Sequence, residues 1–336
     1  PENLHIGLAA IKPGTGEILA MYGGQDYLKY QFNAATQGIA SGGSSFKAFA
    51  LVAALEQGIP LSSIWNGDSP KVYDDGIGRP YVVNNYGGET WGNTTLLNAT
   101  IHSVNTIYVP LGIKAGVEKV VDVARRAGIP ESVEMIASPS VSLGSSSPHV
   151  IDLANSYATF AAQGVYAKPF IINEVQGPNK GILYQGRIQA QEVFRKDVIA
   201  DLTYALNQVT IKGTGAVVGA RLNRPAAGKT GTANDNASAW FNGYTPEVAA
   251  SVAFYRDNAT ESLNGIGGLN SVTGGSFPAR IWAEFVKGYL GKAPIQEFPP
   301  AANIGGTEPI NFVNAVPEMD PALIPPSPTP TPKKKK

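Results

Sequence analysis

The sequence predicts an α+β fold in which the two ends of the chain meet in one antiparallel sheet. An apolar hairpin pattern opens the chain, three strand-length runs lie close together near its far end, and helix-period segments fill the stretch between. The opening hairpin is His5 to Lys12 and Glu17 to Tyr22, turned by Pro13-Gly14-Thr15-Gly16. A helix over Ser44 to Gln57 follows and is stopped by Gly58 and Pro60. Ile64 to Trp91 is rich in Gly, Pro, Asn and Asp without a period and reads as a loop-rich excursion. Leu96 to Ile113 and Val117 to Ala127 read as helical, as do Val150 to Ala162 and Lys196 to Val209. Between the last two, Phe170 to Val175 and Ile182 to Gln185 form a second hairpin pattern. The late strands are Ala226 to Thr232, Ala239 to Tyr244 and Val248 to Tyr255, and Pro278 to Tyr289 is a final helix to pack on the sheet. The central helices are expected on the other side.

Composition narrows the function classes. With 336 residues and 43% hydrophobic content the chain can bury a large core, and it contains no apolar run long enough to span a membrane. It starts at Pro1 and shows no signal peptide, as expected of a piece processed or excised from something longer. Formal charge is zero, but Lys333 to Lys336 hold four of the 26 bases, leaving a mildly acidic body that argues against nucleic acid as a partner. There is no cysteine, hence no disulfide, thiolate nucleophile or cysteine-bound zinc, and His5, His102 and His149 lack metal-ligand spacing. No cofactor or metal is expected. From 292 to 336 the chain turns Pro-rich and ends in lysines, and a largely disordered tail is expected to follow a domain over 1–291.

The chemistry centres on Ser44-Ser45-Phe46-Lys47. A serine at a helix start sits among unsatisfied N–H groups, and a lysine three residues on lies over the same face. The pair reads as a nucleophile with a candidate base in a positive helix-end field. Alone it is a common pattern, equally that of an N-cap followed by a solvated lysine. Ser45 is a rival by proximity, but only Ser44 has lysine at the right interval.

Two further short motifs change the reading: Ser103-Val104-Asn105, and Lys229-Thr230-Gly231-Thr232 on a strand. The three together resemble the signature of penicillin-binding proteins and class A β-lactamases. The chain is similar to the transpeptidase domain of a class A, bifunctional penicillin-binding protein from about Leu8 to Tyr289. Gly16 to Met21 with Gly23-Gly24, Phe32 to Thr36, Asp152 to Ala161, Gly213-Thr214-Gly215, Ala239 to Pro246 and Gly274 to Ala279 all fit in order. Two departures stand out: Ala40-Ser41-Gly42-Gly43 replaces the family's arginine and proline before the nucleophile, and Ser238 replaces an acidic residue.

The resemblance implies a penicillin-binding, serine β-lactamase-like fold: a five-stranded antiparallel sheet flanked by helices, with an all-helical subdomain. It implies a D,D-transpeptidase that cross-links peptidoglycan stem peptides. Ser44 would form the acyl-enzyme at a D-Ala-D-Ala bond, an acceptor amine would take the acyl group, and β-lactams would block the same serine. Lys47 is the candidate base, Ser103 a relay to the leaving amine, and Asn105 a holder of the substrate amide. Lys229 supplies positive charge, Thr230 and Thr232 donate to the substrate carboxylate, and the N–H groups of Ser44 and Thr232 form an oxyanion hole. Gly231 leaves room for the substrate backbone. An upstream glycosyltransferase domain, a membrane anchor and an extracytoplasmic location are also implied.

Rival readings are weaker. A phosphate-binding loop ending at Gly228-Lys229-Thr230 needs glycine where Asn223 stands, and no Gly-x-Ser-x-Gly elbow occurs. A carboxypeptidase or β-lactamase-like hydrolase and a non-enzymatic β-lactam sensor remain alternatives. The β-lactamase would need a water-activating glutamate, and neither Glu131 nor Glu134 opens the expected glutamate-to-asparagine pattern.

Overall fold

The computed structural model describes residues 3–29, 31–320 and 322. In chain order the hairpin β1 (Leu4–Ile11) and β2 (Ile18–Tyr22) leads to a 3-10 turn at Gly43–Phe46 and then α1 (Lys47–Glu56). The excursion contains β3 (Ile64–Asn66), β4 (Lys71–Asp74), β5 (Pro80–Val83) and β6 (Asn93–Thr95). Next come α2 (Leu96–His102), α3 (Asn105–Ala115), α4 (Val117–Ala127) and α5 (Val150–Ala161). The segment β7 (Val165–Ala167), β8 (Glu174–Gln176), β9 (Ile182–Gln185) and β10 (Ala190–Glu192) precedes α6 (Lys196–Lys212) and α7 (Ala216–Arg221). Strands β11 (Ala227–Thr232), β12 (Ser238–Tyr244) and β13 (Ala249–Arg256) and helix α8 (Phe277–Leu290) complete the regular elements.

The main sheet has the order β11-β12-β13-β1-β2 and is antiparallel throughout. Strand alternation divides its side chains between two cores. Ala9, Ile11, Trp240, Tyr244, Ala253 and Tyr255 face the large core with α5 and the central helices. Ala10, Phe241, Val252 and Phe254 face the smaller one with Trp282, Ala283 and Val286 of α8. Helix α1 is buried from Lys47 to Leu55, so it runs through the centre of the helical side rather than along its surface.

Four expectations need correction. The apolar run Leu96 to Ile113 is two helices, because Ser103 takes a left-handed conformation at φ 60°. The excursion 64–91 is built rather than loose: β3 pairs with β6, and β4 with β5. In the second hairpin only Glu174–Gln176 pairs with Ile182–Gln185, while Phe170 instead bridges Glu17. The chain beyond 292 lies on the body as far as it is described. Ile310 and Phe312 bond the backbone of Ile64, Phe312 stacks on Trp65 at 5.0 Å, and Met319 N–H reaches Val72 O. The buried Asp201 carboxylate accepts the N–H groups of Ala302, Asn303 and Ile304 at 2.7–2.9 Å. Hydrophobic anchors such as Phe298 and Phe312 outweigh the Pro-rich composition there. Pro325 to Lys336, part of the tail expected to be largely disordered, lie outside the described residues.

Candidate active site

The 3-10 turn holding Ser44 is clamped by neighbours. Gly42 and Gly43 N–H bond Ser146 O and Gly144 O, and Trp240 Nε1 and Ser238 Oγ both donate to Ser41 O at 2.8 and 2.7 Å. The two departures from the family pattern, at 41 and 238, are therefore each other's partners. Gly43 needs its φ of +52°, and a Cβ there would strike the Thr232 backbone at 2.8 Å. Ser44 is partly buried, and among the described residues its hydroxyl makes no hydrogen bond. Ser45 is fully buried and its hydroxyl accepts from Asn242 Nδ2 at 2.7 Å, which removes it as a rival.

The Lys47 amine, fully buried, points to the second motif rather than bonding Ser44. Its Nζ lies 2.6 Å from Ser103 O, 3.0 Å from Ser103 Oγ and 2.6 Å from Asn105 Oδ1. The left-handed Ser103 turn, a conformation costly for a side-chain-bearing residue, is what presents both of that serine's oxygens. From the opposite side, buried Lys229 donates to Ser103 Oγ at 2.8 Å and Thr230 O at 3.1 Å. Two amines thus converge on one hydroxyl, and no carboxylate among the described residues bonds either.

Burial drives the Lys47 pKa well below its ordinary value, and the nearby Lys229 charge lowers it further. Burial alone brings Lys229 to about 7. Both effects favour the neutral amine at Lys47 over the ammonium. It then donates two protons to the oxygens of Ser103 C=O and Asn105, and its lone pair can accept from the Ser103 hydroxyl. Such an arrangement is chemically able to take up a proton at Lys47 and pass one through Ser103.

The third motif lies on β11, the open edge of the sheet. Ala233 N–H bonds Ser238 O, and the antiparallel alternation from that point turns the backbone groups of Thr230 and Thr232 away from β12. Thr232 N–H therefore points off the edge, on the side where Gly43 touches the strand. Thr232 Oγ1 accepts Gly274 N–H at 3.3 Å and keeps its own proton to donate. Thr230 Oγ1 shares a proton with Thr214 Oγ1 at 2.7 Å.

Gly231 has a different reason from the one expected. A Cβ there would meet Ser45 Oγ at 2.5 Å and Gly42 O at 2.6 Å, so the glycine lets the turn that holds Ser44 close on the strand. Gly231→Ala is expected to lower the melting temperature by several degrees and slow acylation together, read by calorimetry and penicillin labelling. An unchanged melting temperature would show that the turn yields without cost.

Residues 6–271 match the family described as the penicillin binding protein transpeptidase domain. The chain belongs to this family. Among curated relatives, the domain is 31% identical over 310 residues to penicillin-binding protein 1A of Aquifex aeolicus, covering 92% of this chain and 41% of the relative. It is 33% identical over 325 residues to penicillin-binding protein 1A of Mycolicibacterium smegmatis, covering 90% and 40%. It thus spans less than half the length of these relatives. Among solved structures, the PonA1 protein from Mycobacterium tuberculosis in complex with penicillin V superposes with a TM-score of 0.80 at 30% identity, over 92% of this chain and 85% of that one. The penicillin-binding transpeptidase fold expected from the motifs is the observed one.

Several residues of the domain's site were not singled out from the sequence. Thr214 lay in a quoted stretch without a role, yet it orients Thr230. Asn84 and Asn85 sit in the excursion read as irregular, yet Asn84 O accepts Asn105 Nδ2 at 2.8 Å. Asn105 is thereby oriented toward Lys47 with one amide proton left over.

Proposed function

We propose that this chain is a serine D,D-transpeptidase domain acting on peptidoglycan stem peptides, over residues 1–291, with the segment after 292 as an appendage. The observation that carries the reading is the pair of buried amines meeting on Ser103 beside an open strand edge. The donor peptide adds to β11 as a further strand, with its terminal carboxylate at Thr232 and near the charge of Lys229. Ser44 Oγ attacks the penultimate carbonyl, its proton passes to Lys47, and the oxyanion takes the N–H groups of Ser44 and Thr232. The C–N bond breaks as the leaving nitrogen receives a proton through Ser103, and D-alanine departs. An amine of a neighbouring stem then attacks the ester, forms the new amide and returns the proton to Ser44. A β-lactam follows the first half of this path and stays bound.

The similarity to class A relatives supports an upstream glycosyltransferase domain and membrane anchor, and an extracytoplasmic location. Among the described residues no helix is long and apolar enough to cross a membrane. Hydrolysis of the acyl-enzyme is slow in this reading. Glu131, one of the two glutamates in the relevant interval, is 89% exposed and paired with Arg125 at 3.4 Å.

The test supplies a D-Ala-D-Ala donor, as peptide and thioester, together with a free amine acceptor. Release of D-alanine (or of the thiol) with formation of the new amide is expected. Acylation by penicillin with no turnover of either donor would overturn the reading in favour of a sensor.

A further inference from the structure

The polar excursion between α1 and α2 reaches the start of α3 through two adjacent residues, Asn84 and Asn85, and the second does so with a saturated side chain. Asn85 is 5% exposed, and its amide makes every bond it can. Oδ1 accepts Thr106 N–H and Thr106 Oγ1 at 3.1 and 3.2 Å, while Nδ2 donates to Gly67 O and Glu89 O at 3.0 and 2.8 Å. The preceding Asn84 O holds Asn105 Nδ2. Neighbouring residues of one loop thus grip the two residues that open α3, and one of those two is the Lys47 partner.

The excursion is itself fastened from outside. Strand β3 bonds the segment over residues 302–319, a strap across the body, at Ile310 and Phe312, Trp65 stacks on Phe312, and Lys71 bonds Glu318. We propose that Asn85 is a positioning residue for the reaction: through Thr106 and Asn105 it fixes where the Lys47 amine sits, and the strap over residues 302–319 holds Asn85 in place. The proposal rests on the transpeptidase reading above.

Loosening Asn85 lets water reach Lys47. The titratable groups beside that amine are Lys229 from β11 and the Tyr108 ring of α3, 5.4 Å away. Of the other elements packed on α1, α4 has Arg126 tied to Glu56 and Asp122, and α6 has Asp201 bound by the strap. Relief of burial is therefore the dominant effect, and it raises the Lys47 pKa.

The experiment measures second-order acylation by a fluorescent penicillin against pH for the wild-type chain, Asn85→Ala, Phe312→Ala and the double variant. Asn85→Ala is expected to acylate roughly 10- to 100-fold more slowly. Its acid limb should move to higher pH by roughly half a unit or more. Phe312→Ala, which touches neither Asn85 nor the site, should move both in the same direction by less, and the double variant should fall short of the sum. A slower rate with an unmoved acid limb, or strict additivity, would reduce Asn85 to a structural role and overturn the proposal. If Asn85→Ala does not fold, Phe312→Ala alone decides by whether its acid limb moves. Failure of the wild-type chain to acylate at Ser44 would instead sink the transpeptidase reading.

Discussion

Ser44→Ala abolishes covalent labelling by penicillin, a loss on the order of 10⁴-fold or more, because a serine nucleophile has no substitute in a site of this kind. The fold should not notice. The side chain is partly buried and bonds nothing among the described residues, so the change in stability is expected within about 0.5 kcal/mol. The two readouts separate chemistry from structure: labelling on a gel falls to background while the circular dichroism melt is superimposable on wild type. Residual labelling at the wild-type rate would remove Ser44 from the mechanism.

Lys47→Met carries the second large effect. Methionine approximates the length of the stem but cannot take a proton, so acylation should fall about 10²–10⁴-fold as for loss of a general base. Stability should change in the opposite sense from most buried substitutions at neutral pH and below. The folded protein depresses the pKa of both buried lysines, so the unfolded chain binds more protons wherever the pH lies between the folded values and about 10.5. Wild-type stability therefore rises with pH across that window, which for Lys229 opens near 7. Below the folded pKa each amine is protonated in both states, the full cost of burying its charge is present, and the pH dependence levels off. Lys47→Met removes one of the two contributions, and denaturant melts at pH 7 and pH 9.5 should differ less than in wild type. An equal or steeper rise would mean that Lys47 titrates as an ordinary exposed lysine.

The sheet and the helices packed on it were legible because their signal is periodic. The alternation in Ala239 to Tyr244 and Val248 to Tyr255 matches the division of Trp240 and Phe241 between two cores. The three motifs were legible as residue types at fixed spacing. What the spacing could not carry is geometry imposed from afar. Nothing in the apolar run Leu96 to Ile113 announces a left-handed Ser103, because the break is held by Lys47, which is 56 residues away in sequence. Gly231 was read as room for substrate, yet the space belongs to Ser45 and Gly42. The segment after 292 has the composition of a tail, but its few aromatic and aliphatic residues find Trp65, Tyr244 and a capped Asp201 on the body. Asn85 looked like one polar loop residue among many. Its value lies in four hydrogen bonds to three residues, Gly67, Glu89 and Thr106, that only the fold brings together.

The most direct measurement is mass spectrometry of the chain after brief exposure to penicillin, with fragment ions localising the adduct in the peptide that ends at Lys47. One penicilloyl group per chain, carried by Ser44, is the predicted result. An adduct on Ser45, on Ser103 or on no residue of that pocket would contradict the account at its centre.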